Sequence, residues 1–311
     1  MRIAFINSLF ENAKKNKNIM ILTADLGFSV FEKFILELPM QYLNAGIAEQ
    51  NMTGMAAGMA MEGKIPFIYS IVPFATMRNF EQIRNDICYQ NLNVKIVAVG
   101  AGFSYGSYGH THHGLEDIGI LRTLPNITIL APGDPVEVKL ATEHMLKHVG
   151  PVYLRLGKAG EPTLHKKIPK FKIGKGLILQ EGKDLTIISN STLLFRAYEV
   201  VKELTKKGLN VRFISMPTVK PVDEEIIIES AKKTKAIFTI EEHSIVGGLG
   251  SAVAEVLAES PTKVLFKRIA VPDRFTKVMG LQEYMRNANG LSVDKILRTI
   301  IDVAKNNSDE M

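Results

Sequence analysis

One cysteine, Cys88, occurs in the 311 residues. That excludes an internal disulfide and fits a reducing, cytoplasmic setting. No run approaches the roughly 18 uninterrupted apolar residues that span a bilayer, so no membrane partner is expected. The opening residues, Met-Arg-Ile-Ala-Phe-Ile-Asn, lack the apolar core and cleavage site of a secretory leader. Basic runs interleaved with aromatics are also missing. The net charge is +6, with most of the excess in the second half. The lysines there lie singly along amphipathic segments such as 196–207. This describes a solvated face, and no nucleic-acid partner is expected. There is no Gly-x-Ser-x-Gly elbow, no Walker loop and no His-Glu-x-x-His. His110, His112 and His113 are close in sequence, but on an extended segment the first two point to one side and the third to the other. No metal site is expected from them.

What is present is an alternation of short apolar runs and amphipathic stretches, which argues for parallel α/β sheets. Strands are expected at 19–24, 42–45, 65–71, 94–99, 127–130 and 151–156. Helical spacing marks 3–16, 77–91 and 134–148. From 157 the pattern dissolves into Lys, Gly and Pro, and a second α/β unit begins with a strand at 185–189. The expected layout is therefore α/β, with two parallel-sheet domains: 1–160, a linker at 161–182, and 183–311.

Three stretches draw attention. Residues 44–61 place one carboxylate, Glu49, at the head of a helix built from small and apolar residues, among them Gly54, Ala57 and Gly58. A buried acid needs a partner or a use for its shifted proton affinity. Residues 100–114 hold four of the chain's glycines between Gly102 and Gly114 and all three clustered histidines, a long loop of the kind that carries function. Gly247-Gly248-Leu249-Gly250-Ser251 precedes a helix. It either offers backbone donors to an anion or simply folds tightly.

Five segments in order carry a resemblance: Gly46-Ile-Ala-Glu49-Gln-Asn-Met52, Phe80-Glu-Gln-Ile-Arg84, Thr111-His-His-Gly-Leu-Glu-Asp117, Ala131-Pro-Gly-Asp134, and Glu241-Glu-His243 with Gly247–Ala252. Together they resemble the transketolase family, and in particular its pyrimidine-binding domain followed by its C-terminal domain. The Gly-Asp-Gly motif of the family's other half is absent from the chain. The resemblance therefore implies the C-terminal subunit of a split, two-chain transketolase. The cofactor it implies is thiamine diphosphate, with Mg2+ or another divalent ion held by an N-terminal partner chain. The assembly implied has two copies of each chain, and the reaction implied moves a two-carbon ketol unit between sugars or sugar phosphates. The beta subunit of a 2-oxo-acid dehydrogenase, a deoxyxylulose-phosphate synthase-like enzyme and a non-catalytic scaffold share the architecture.

By the same resemblance Glu49 contacts the ring nitrogen of the cofactor's aminopyrimidine and shares its proton. An aromatic ring stacks on that pyrimidine, and spacing leaves Phe74, Phe80 and Tyr69 open for the role. His112 matches the histidine that contacts the sugar near its reacting carbonyl. Four residues before it the family's sugar enzymes carry an Asp; here it is Tyr108. Twelve residues before it a phosphate-binding His is replaced by Gly100. Lys158 stands where an Arg often holds the substrate phosphate, with Arg155 nearby. Arg78 and Arg84 are read as serving a subunit contact.

Overall fold

The computed structural model describes residues 1–306. Among the described residues twelve strands form two sheets. They are β1 (Ile19–Thr23), β2 (Tyr42–Asn44), β3 (Ile65–Ile71), β4 (Lys95–Val99), β5 (Thr128–Leu130), β6 (Val152–Leu156), β7 (Leu177–Gln180), β8 (Leu185–Ser189), β9 (Val211–Ser215), β10 (Thr218–Lys220), β11 (Ala236–Ser244) and β12 (Leu265–Val271). The first sheet has seven strands in the order β10-β5-β6-β4-β3-β1-β2, and the second five in the order β12-β11-β8-β9-β7. Pairing is parallel except at β10 on β5 and at β7 on β9. The expected pair of α/β units is thus present.

The central strands are apolar on both faces, as a sheet covered by helices requires. Ile21, Phe67, Val97 and Leu154 face one cluster, while Leu22, Ile68, Ile96 and Tyr153 face the other. This is the period of two that a strand imposes. In the second unit the helix Leu194–Lys206 buries Leu194, Ala197, Val200, Val201 and Leu204 along one stripe.

Three departures from the sequence pattern bear on function. Residues 161–182 include β7, whose Leu177 is buried. This stretch also docks on the first unit. Asp134 caps the helix Pro135–Lys147 through Oδ1 and accepts from the backbone of Leu164 and His165 through Oδ2. His165 Nε2 lies 2.9 Å from Glu137 Oε1. Asp134, Glu137 and His165 converge closely, but their oxygens are engaged in this capping. Secondly, β10 lies in the second unit by sequence yet extends the first sheet, pairing Thr218 with Leu130. Thirdly, the helical spacing at 77–91 is not one helix. A short helix, Val72–Thr76, ends before Met77, and a new one starts at Phe80 and widens into a π-helical segment, Ile83–Cys88. Asn79 between them is buried, with Nδ2 donating to Thr53 Oγ1 at 2.7 Å.

The helix Glu49–Met61 turns Met52, Thr53, Ala56 and Ala57 inward. Ala57 is therefore core. Gly54 and Gly58 are exposed, and a Cβ on either would meet nothing within 4 Å. Among the described residues nothing demands glycine at either position.

Candidate active site

Four segments meet at the carboxyl edge of the first sheet, where parallel α/β folds gather ligands. Glu49 follows β2, Phe74 follows β3, the loop with His112 follows β4, and Lys158 follows β6. Glu49 opens its helix and is 2% exposed. Both of its carboxylate oxygens accept from Arg78 Nη1, at 3.2 and 3.1 Å. The Arg78 guanidinium also lies over the Phe74 ring, 4.2 Å from its centroid. Phe74 in turn meets His112 edge-to-face at 5.2 Å. His112 touches Tyr108 at 5.2 Å and Tyr105 at 6.5 Å. Lys158 Nζ sits 5.1 Å from the Tyr105 ring. A continuous run of contacts therefore links the buried carboxylate to an exposed lysine.

His112 is held below its ordinary proton affinity, first by burial and then by the Arg78 charge. The ring is accordingly neutral at neutral pH, with Nδ1 3.0 Å from Thr111 Oγ1. The other two histidines diverge from it, because residues 110–112 form a 3-10 turn and not the extended segment expected. His113 is buried edge-on to Phe103, and His110 is exposed against Phe275.

Several of the expected residues lie elsewhere. Tyr69 is 2% exposed and packs edge-to-face on Phe31 at 4.9 Å, because β3 is covered on both faces. Phe80 packs on the cluster around Met52 and Ile68. Of the three aromatics, Phe74 alone joins Glu49 and His112. Arg155 is 1% exposed. Its guanidinium donates to Asp117, Ser191 Oγ, and the carbonyls of Gly114 and Glu242. It braces the core of the fold and does not face a substrate. Tyr108 is 61% exposed at the mouth of the site. Arg84 donates to Asn85, away from Glu49.

The loop at 100–114 is pinned from the second unit. Gly102 and Gly114 exchange backbone hydrogen bonds at 2.8 and 2.9 Å. The Glu242 carboxylate accepts from Phe103 N, Thr192 Oγ1 and the Arg286 guanidinium. Burial alone would raise its proton affinity, but the Arg286 charge and these hydrogen bonds hold it below the ordinary carboxylate range. A Cβ at Gly102, where φ is +62°, would stand 2.4 Å from that carboxylate. The flanking residues complete the motif. Glu241 accepts from Leu249 N and Gly250 N at 2.7 Å each, so the anion at this helix start is the chain's own side chain. His243 Nε2 accepts from Gly119 N at 3.2 Å. Sequence reasoning missed Arg78 as a partner of Glu49, Tyr105 in the ring cluster, and Glu242 with Arg286. Only the Glu241-Glu242-His243 triplet signalled any of this.

The chain is thus a two-unit, largely parallel α/β protein with a buried carboxylate and an aromatic ring at one sheet edge. Residues 1–160 match the family described as "Transketolase, pyrimidine binding domain", and residues 174–296 match "Transketolase, C-terminal domain". The chain belongs to the transketolase family, whose members depend on thiamine diphosphate. It is 37% identical to the 6-deoxy-6-sulfo-D-fructose transketolase subunit SqwH of Clostridium sp. (strain MSTE9), over 98% of this chain and 94% of the relative. It is also 37% identical to an apulose-4-phosphate transketolase subunit from Phocaeicola vulgatus, over 98% and 97%. A solved split-gene transketolase, described as an inactive beta4 tetramer, superposes with a TM-score of 0.87 at 37% identity, over 97% of each chain. By these likenesses the chain is a transferase subunit of the split transketolase type.

Proposed function

We propose that this chain supplies the pyrimidine half of a two-chain transketolase. A partner carrying Gly-Asp-Gly holds the diphosphate through Mg2+, and two copies of each chain assemble in the cytoplasm. The observation that carries this reading is the convergence of buried Glu49, Phe74 and His112 at one sheet edge, with Arg78 bridging Glu49 and Phe74. Bound here, thiamine diphosphate supplies the nucleophilic carbon and electron sink for ketol transfer. The chain's own residues do the rest. Glu49 holds and returns a proton at the aminopyrimidine ring nitrogen. Phe74 offers its face to that ring. Neutral His112 presents a ring nitrogen to a substrate oxygen near the reacting carbonyl.

The named substrates of the two relatives carry a sulfonate or a phosphate. Lys158, exposed above Tyr105, is the cation of this site best placed for such an anionic tail. Tyr108 at the mouth stands where a sugar-reading Asp is usual, so the acceptor is expected to differ from the ordinary pentose phosphates. The bare Gly54 and Gly58 face of the helix after Glu49 suits close packing on another subunit.

The test is to co-express both chains and screen anionic ketose donors against aldoses with thiamine diphosphate and Mg2+. In that complex Glu49→Gln should abolish turnover while cofactor binding largely persists. Near-normal rates in this variant would end the assignment.

A further inference from the structure

Arg78 makes, by itself, both contacts that the pyrimidine half-site offers. Its guanidinium is a flat delocalised cation. It stacks on Phe74 at 4.2 Å and donates to both oxygens of Glu49. Guanidinium is suited to do both at once. On the function proposed above, an aminopyrimidine needs the same ring face and the same carboxylate. The two groups cannot share that space.

We propose that Arg78 is an internal competitor for the cofactor's pyrimidine site, and that loading exchanges one planar donor for the other. The inference rests on the proposed cofactor reading. The local architecture fits an exchange. The Arg78 side chain is 47% exposed, while Glu49 is 2% exposed. An ion pair with one solvated partner is weakly held, whereas a buried carboxylate left bare is strongly disfavoured. Arg78 therefore stays until another donor takes its place. It sits on the three-residue break between the helices Val72–Thr76 and Phe80–Gln82. The next residue, Asn79, is buried and tied to Thr53. The backbone is thereby fixed, and the side chain is the part free to swing. Arg78 reaches Glu49 from within the Met77–Asn79 break.

Competition has a direct signature. Apparent affinity is reduced by the fraction of molecules whose site is competent. Removing the competitor raises it. Calorimetric titration of the two-chain enzyme with thiamine diphosphate, at saturating Mg2+, should show tighter binding in Arg78→Met by about fivefold or more. Arg78→Lys keeps the charge but loses the flat face, and should fall between. Binding by the native complex with no gain in Arg78→Met, or a loss, overturns the inference alone. No binding by either complex overturns the proposed function and takes this inference with it. A thermal-melt cycle on the single chain guards against a folding defect. Glu49→Gln and Arg78→Met should be non-additive in Tm, and additivity counts against the pairing on which the exchange depends.

Discussion

Glu49, Phe74 and His112 come together at one sheet edge, though spacing leaves Phe74 open beside Phe80 and Tyr69. Each follows a strand at the carboxyl edge of one sheet, and a strand followed by a loop or helix is what the alternating pattern encodes. Arg155 and Tyr69 show the limit of spacing. Both are a few residues from site positions, yet they lie within β6 and β3, which are buried on both faces. Arg78 was illegible for another reason. It reaches Glu49 from a helix break that periodicity reads through. The Arg78 charge can be followed on His112. Burial comes first and that charge second in lowering the histidine's proton affinity. An NMR titration of the His112 ring should therefore show a midpoint below the ordinary value of about 6.5. In Arg78→Met the midpoint should move up toward it. The sign for stability follows. The unfolded chain takes up this proton first, so the contribution is present above about pH 6.5 and lost as pH falls through the window beneath it.

At the scale of elements, the loop at 100–114 owes its shape to residues far away in sequence. Its glycines announced a loop, and nothing local announced that Glu242, 139 residues beyond Phe103, would hold it. Long-range pairing leaves no periodic trace. Glu242 and Arg286 are both buried, with side chains 0% and 10% exposed. Removing Glu242 leaves the Arg286 guanidinium with only the exposed Glu283 and the Thr192 carbonyl. Glu242→Ala should therefore lower unfolding stability by about 3–5 kcal/mol. Urea denaturation checks this, and a change below about 1 kcal/mol would show that the pair does not bear on folding. The same logic separates the two readings of the glycine turn at 247–251. Its backbone donors do face an anion, but Glu241 satisfies them. Composition alone could not say whether that anion would come from inside the chain.

At the scale of the molecule, the chain carries a carboxylate and a ring face but no Gly-Asp-Gly in any of its 311 residues. The single chain is accordingly expected to bind thiamine diphosphate very weakly, even with Mg2+. Calorimetry of that chain should show almost no heat, and tight binding would contradict a half-site. Two α/β units were legible from alternation, because a helix and a strand leave different periods. Their joint was not. β10 belongs to the second unit by sequence and to the first sheet by hydrogen bonding, and Lys220 donates from its end to the carbonyl of Arg122 at 2.9 Å. That strand bears on anyone who would cut the gene. A fragment ending near residue 160 leaves the edge of β5 bare, a template for strand-to-strand aggregation. A split-reporter junction or domain-swap library keeps both pieces whole only if residues 218–220 travel with the first sheet.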